Sequence, residues 1–185
     1  LRRRAIATGN KVDAQLTRFA ANPKTRLCPA AKVSARERVV NIYFCRCPIS
    51  HAPCPVLQSC VLYLRAKGWR IVGAQVPVAD LARRAATAID LLCEDTAGAL
   101  IVVEIKTRVV SLARHSEEYK RVNTQQPKTA YGVPNSLYYR HQMQLAKTAH
   151  MFRKSKAAHN KTVKAFVVVL VDKQVIEYPL AVQYS

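Results

Sequence analysis

Acidic residues are scarce in this chain: 11 Asp and Glu stand against 30 Lys and Arg, a formal net charge of +19. A small domain carries a charge of roughly 2–8 in magnitude. Self-repulsion on this scale calls for a polyanionic partner, and nucleic acid is the first candidate. No run of 18 or more apolar residues occurs, so no transmembrane helix is expected. The basic residues are scattered along the chain, not gathered on one amphipathic helix, which argues against a membrane surface as the partner. No secretory signal and no internal repeat is evident. An intracellular location is expected, whether nuclear, organellar or viral. Half of the 185 residues are hydrophobic, which excludes a disordered tail and suffices for one domain with a core. The first residue is Leu1, so a fragment or a processed form is expected. Leu1-Arg2-Arg3-Arg4, with Lys11 and Arg18 following, reads as the remnant of a basic region or as an organelle-targeting segment.

Of the six cysteines, all but Cys28 fall into two kinds. Cys60 lies in an expected helix and Cys93 in an expected strand, both suited to free buried thiols. Cys45, Cys47 and Cys54, with His51, crowd the segment Phe44-Cys-Arg-Cys-Pro-Ile-Ser-His-Ala-Pro-Cys-Pro and are candidate Zn²⁺ ligands. The usual two-residue gap between paired cysteines is missing there, so reduced structural thiols compete with zinc and with an iron–sulfur cluster.

Two regions are expected. Residues 1–55 form a basic extension with a short helix over Lys11–Ala20, a strand at Val39–Phe44 and a Cys/Pro-rich loop. Residues 56–185 form the core. In it Val56–Lys67 carries an apolar stripe of Leu57, Cys60, Val61 and Leu64 and ends at Gly68. Trp69–Val78 reads as a strand, with Pro77 marking an edge. A basic connection, Ala79–Ala86, leads to a hairpin of Thr87–Cys93 and Ala99–Thr107 around a polar turn containing Gly98. The long polar stretch Arg108–Pro134 holds a short helix near His115–Arg121. Asn135-Ser136 caps a helix to about Lys154. Val163–Val171 and Lys173–Tyr178 are strands around an Asp172-Lys173 turn. The order is that of an α/β sandwich, a mixed central β-sheet flanked by helices.

The hairpin carries the chemistry. Asp90 stands on its first strand and Glu104-Ile105-Lys106 on its second. Strand alternation puts Glu104 and Lys106 on one face and Ile105 on the other, with Asp90 at a similar height on the partner strand. Glu104 follows Leu100-Ile101-Val102-Val103, a run apolar enough to be buried on both faces. A carboxylate there needs a partner, either a cation or a metal. Two acidic oxygen ligands beside an ammonium group suit Mg²⁺-assisted attack on a phosphate.

This arrangement resembles the PD-(D/E)XK nuclease superfamily. Its motif is an Asp on one strand and Glu/Asp-x-Lys on the next, matched by Asp90, Glu104 and Lys106. Ile89 replaces the proline that precedes the Asp in the family. The later helix, Asn135 to Phe152, looks like the one that in RecB-like and phage exonuclease-like members carries Gln-Leu. Gln144-Leu145 is the best match and Gln142 the competitor, while Thr148 stands where RecB-like members have Tyr. The resemblance implies a restriction-endonuclease-like core over roughly Val56 to Tyr178. It also implies hydrolysis of DNA phosphodiester bonds: Asp90, Glu104 and the Ile105 carbonyl would hold Mg²⁺ or Mn²⁺, Lys106 would orient or deprotonate water, and Gln144 would orient base or phosphate. Many members place a Glu on the first helix, but Val56–Lys67 has no acid, and Gln58 is the nearest polar substitute.

Arg108, Arg114, Lys120, Arg121, Lys128, Arg140 and Lys147 are candidates for phosphate contacts. His141 is a further one, and Tyr131, Tyr138 and Tyr139 either stack on bases or pack as half-buried core. An exonuclease of recombination, repair or replication is the leading expectation. A junction resolvase or nickase of the same superfamily, usually a homo-oligomer, comes second. A non-catalytic nucleic-acid-binding module of a larger assembly comes third.

Overall fold

The computed structural model describes residues 55–130, 132–171 and 174–184. The expectations for the N-terminal extension, the zinc ligands Cys45, Cys47 and Cys54 with His51, Tyr131 and the Asp172-Lys173 turn lie outside the described residues. So does the side chain of Gln58.

Helix α1 (Pro55–Ala66) leads through Gly68, at φ +69°, into strand β1 (Arg70–Asp80). Strands β2 (Ala85–Glu94) and β3 (Leu100–Arg108) follow, then the short helix α2 (Leu112–Glu118) and the long helix α3 (Leu137–Arg153). A single 3₁₀ turn, Lys156–Ala158, precedes strands β4 (Val163–Val171) and β5 (Gln174–Pro179). The expected succession of helix and strand is present. Two stretches differ by more than a residue: the β1–β2 connection shrinks to Leu81–Arg84 because both strands extend into it, and α2 starts and ends three residues before the expected His115–Arg121. Ser111 sets that start, accepting the Arg114 N–H at 3.3 Å as an N-cap. Ser136 caps α3 in the same way through the Tyr139 N–H. Among the described residues no helix is long and apolar enough to cross a membrane.

The five strands form one mixed sheet in the order β1-β2-β3-β4-β5, antiparallel throughout save for the parallel pair β3–β4. Pro77 does fall on an edge strand, the part of a sheet that tolerates a residue without an N–H. The central strands β3 and β4 are covered on both faces. Toward α1 lie Leu91, Ile101, Val103, Ile105 and Val168 with Cys60, Val61 and Leu64. Toward α3 lie Leu92, Leu100, Val102, Val167 and Val169 with Leu145, Ala149 and Phe152. Cys60 and Cys93 are free and fully buried, and burial pushes both thiols up to about 12.

Candidate active site at the fork of the central strands

The paired register of β2 and β3 runs from Glu94↔Leu100 to Leu91↔Val103. Just beyond it the Asp90 side chain takes the place of the ladder: its Oδ2 accepts the Ile105 N–H at 2.8 Å. Glu104 is the next residue of β3 after that last pair. It is 2% exposed, and Lys106 Nζ donates to its Oε1 at 2.5 Å. The partner required for a carboxylate in this apolar strand is thus the ammonium two residues on, on the same face. The α3 helix closes the arrangement, because Lys106 Nζ also donates to Gln144 Oε1 at 3.1 Å. Glu104, Lys106 and Gln144 therefore come together, and Asp90 grips the same strand at the Ile105 N–H between Glu104 and Lys106.

The competition between Gln142 and Gln144 is decided by burial. Gln142 is fully buried, donating Nε2 to the Pro179 carbonyl (3.0 Å) and accepting the Ala181 N–H (2.8 Å), so it ties down the end of β5. Gln144 is exposed and faces Lys106.

The basic candidates separate into two groups. Arg108 and Arg114 turn to Glu118, at 3.1 and 2.7 Å, and Arg108 also donates to His115 Nδ1 at 3.2 Å. Arg108 holds α2 against the end of β3, Arg114 makes an i,i+4 pair within α2, and both keep the Glu118 carboxyl below its usual range. Lys120 lies over the rings of Tyr138 and Tyr178. Arg121, Arg140 and Lys147 share one path. Arg121 and Arg140 line a cleft of about 350 Å³ with Asn123 and Asn135, and Arg140 continues into a second of about 330 Å³ with Met143, Gln144 and Lys147. Asn135 Oδ1 accepts from both Nε and Nη2 of Arg140, at 3.0 and 2.7 Å, fixing its direction. Lys128 is exposed on the loop that a Lys128↔Pro134 bridge closes.

Tyr138 packs edge-on against Tyr119, Tyr139 and Tyr178, as half-buried core does. His141 bonds through Nδ1 to the Tyr119 hydroxyl at 2.9 Å, and burial, aided by Lys106, pushes its pKa down to about 3. It is neutral near pH 7 and offers no charge to a phosphate. One residue of the site has no counterpart in the sequence reading: Gln75 of β1, whose Nε2 donates to Asp90 Oδ1 at 3.3 Å. The glycine at position 73, inside a strand, was the available signal of an irregularity there.

No protein-family model and no curated protein matches the chain. The chemistry of the site is therefore argued from its donors. Two carboxylates and a main-chain carbonyl are hard oxygen ligands of the kind Mg²⁺ and Mn²⁺ take, and Mg²⁺ commonly uses only one or two carboxylates. Among the described residues no group of three or more His, Cys, Asp or Glu meets anywhere, and α1 supplies no acid.

Proposed function

We propose that the protein is a metal-dependent deoxyribonuclease with a PD-(D/E)XK-type, restriction-endonuclease-like core. The observation that carries this reading is the set of contacts where β2 and β3 part: Lys106 with Glu104 and Gln144, and Asp90 with the Ile105 N–H between them. Asp90, Glu104 and the Ile105 carbonyl would hold Mg²⁺ or Mn²⁺. A bound ion of this kind supplies Lewis-acid polarisation of the phosphoryl group. Lys106, an ammonium group at the mouth of the buried Glu104, directs its N–H donors at the attacking water and at the charge that builds on phosphorus. Gln144 holds Lys106 from the α3 side and presents its amide to the substrate. Arg121, Arg140 and Lys147 line the approach as phosphate contacts. The Gln144-Leu145 helix favours an exonuclease of recombination, repair or replication, acting on DNA.

The competing reading is a non-catalytic nucleic-acid-binding module, and the observation on its side is the small ligand set, two carboxylates with none from α1. Against it, a pure binder gains nothing from carboxylates facing a phosphate. Cleavage of end-labelled linear duplex, single strand and closed circular DNA with Mg²⁺, Mn²⁺ or EDTA separates these. Metal-dependent cutting lost in Glu104→Ala and Lys106→Ala, with binding retained in the latter, is the expected result. Mononucleotide release marks an exonuclease, and opening of the closed circle an endonuclease. Tight, salt-sensitive binding without cutting by the wild type would transfer the protein to the binding-module class.

A further inference from the structure

The β1–β2 hairpin changes face at a single rung. Ala74 and Leu91, a registered pair, pack toward α1, whereas Val76 and Ile89, the next registered pair, pack toward α3. Residues two apart on a strand normally share a face, so alternation breaks in both strands at the rung between, where Gln75 lies opposite Asp90. The break has a backbone cause. Gln75 has φ +50°, in the left-handed region that a side chain with a Cβ enters at a cost. Two residues earlier the register shifts between Ile71 and Gly73. A Cβ on Gly73 would lie 2.6 Å from Val76 Cγ2, so a side chain there would force Val76 to shift. The distortion thus uses glycine where space is tight. At the left-handed position, where glycine would be easier, it uses glutamine. A strained residue whose side chain is retained beside a candidate site points to use of that side chain.

Its contacts show the use. Asp90 Oδ2 is held by the Ile105 N–H and Asp90 Oδ1 by Gln75 Nε2. One grip comes from the Glu-x-Lys strand and the other from the strand on the opposite side. We propose that Gln75 is a positioning residue: it fixes the rotation of the Asp90 carboxylate and so the direction in which Asp90 offers an oxygen to a divalent cation. This rests on the metal-site reading above. The amide also keeps the rung free of a third carboxylate, which an acid at position 75 would add within reach of Asp90.

The test separates backbone from side chain, because Gln75→Gly adopts the left-handed turn at least as well and removes only the amide. Mn²⁺ binding is followed on the full chain by electron paramagnetic resonance. It is set beside thermal unfolding without metal and cleavage titrated with Mn²⁺, for wild type, Gln75→Gly, Gln75→Glu and Glu104→Ala. Gln75→Gly is expected to unfold no earlier than wild type, to need about 10–100-fold more Mn²⁺ for binding and cleavage, and to keep most of its rate at saturation. Gln75→Glu is expected to bind Mn²⁺ at least as tightly as wild type. Unchanged Mn²⁺ affinity in Gln75→Gly, with binding lost in Glu104→Ala, would overturn the positioning role and leave the metal site standing. Early unfolding of Gln75→Gly, with Gln75→Glu no better than it for Mn²⁺, would assign Gln75 to the fold alone. A wild type that binds no Mn²⁺ would overturn both readings.

Discussion

Replacing Lys106 by Met removes an ammonium 2.5 Å from a carboxylate that is almost wholly buried, while leaving most of the apolar stem in place. Loss of one partner from a buried ion pair costs about 3–5 kcal/mol, because the remaining charge stays in a poorly solvating site. The Lys106 side chain keeps 22% of its surface in water, so solvent recovers part of the loss. The expected cost is therefore near the lower end, about 3 kcal/mol, and a fall in Tm of about 10 °C. Neutralising the partner as well, in Glu104→Gln/Lys106→Met, should recover most of that loss, since two neutral groups no longer need each other. Urea unfolding followed by circular dichroism, run as a double-mutant cycle in EDTA, measures the coupling. Added Mg²⁺ should then raise the Tm of Lys106→Met more than that of the wild type, because a cation can take the vacated role and bind more tightly without the ammonium. A Lys106→Met protein within about 0.5 kcal/mol of wild type would refute the reasoning, since it would show that Glu104 does not depend on the ammonium.

Other outcomes follow from burial elsewhere. His141 has its pKa pushed from 6.5 down to about 3 by burial and by Lys106. Between those values the unfolded chain binds a proton that the folded chain refuses. Its contribution is therefore intact above about pH 6.5 and lost as pH falls, at up to about 1.4 kcal/mol per unit. Urea midpoints at pH 7 and pH 5 should converge in His141→Asn, and equal pH slopes in variant and wild type would sink the idea. Gln142→Leu takes the buried partner from the Pro179 carbonyl and the Ala181 N–H, and because both lie on exposed residues that water can reach it should cost about 1–2 kcal/mol. Gln144→Ala should cost under about 0.5 kcal/mol yet slow cleavage. Similar stability losses in both would contradict the separation of the two glutamines. Cys60 and Cys93 should resist alkylation in the native protein and react only in denaturant, and mass spectrometry of their peptides checks this.

The legible parts of this fold were those that local chemistry decides. Ser136 before an amphipathic run, Gly68 after one, and Pro77 near a strand end each act within a few residues of themselves, and each lies where its sequence pattern put it. The meeting of Glu104 with Lys106 was legible too, because a two-residue repeat fixes a shared face whatever surrounds the strand. What was not legible needs a partner from elsewhere. Arg108 looks like a phosphate-binding cation until α2 carries Glu118 to it, ten residues further along the chain. Tyr138 and His141 are open in the sequence to a ligand or to a structural role, and the choice rests on Tyr119, which packs against both, and on Tyr178, which packs against Tyr138. The strained Gln75 follows from the register of two strands together, which no window on one strand contains.

The site is also assembled from contacts of very different reach along the chain. Asp90 and Ile105 are 15 residues apart, joined by one tight turn, whereas Gln144 must return across 38 residues to meet Lys106. Closing the shorter loop costs less chain entropy, so the carboxylate half can form while α3 is still finding its place. Folding kinetics should then show larger φ-values for substitutions in the hairpin than for those on the sheet-facing side of α3. Assembled in that order, the protein would pass through an interval in which its acids are set but its glutamine is absent, a latent site during its own folding.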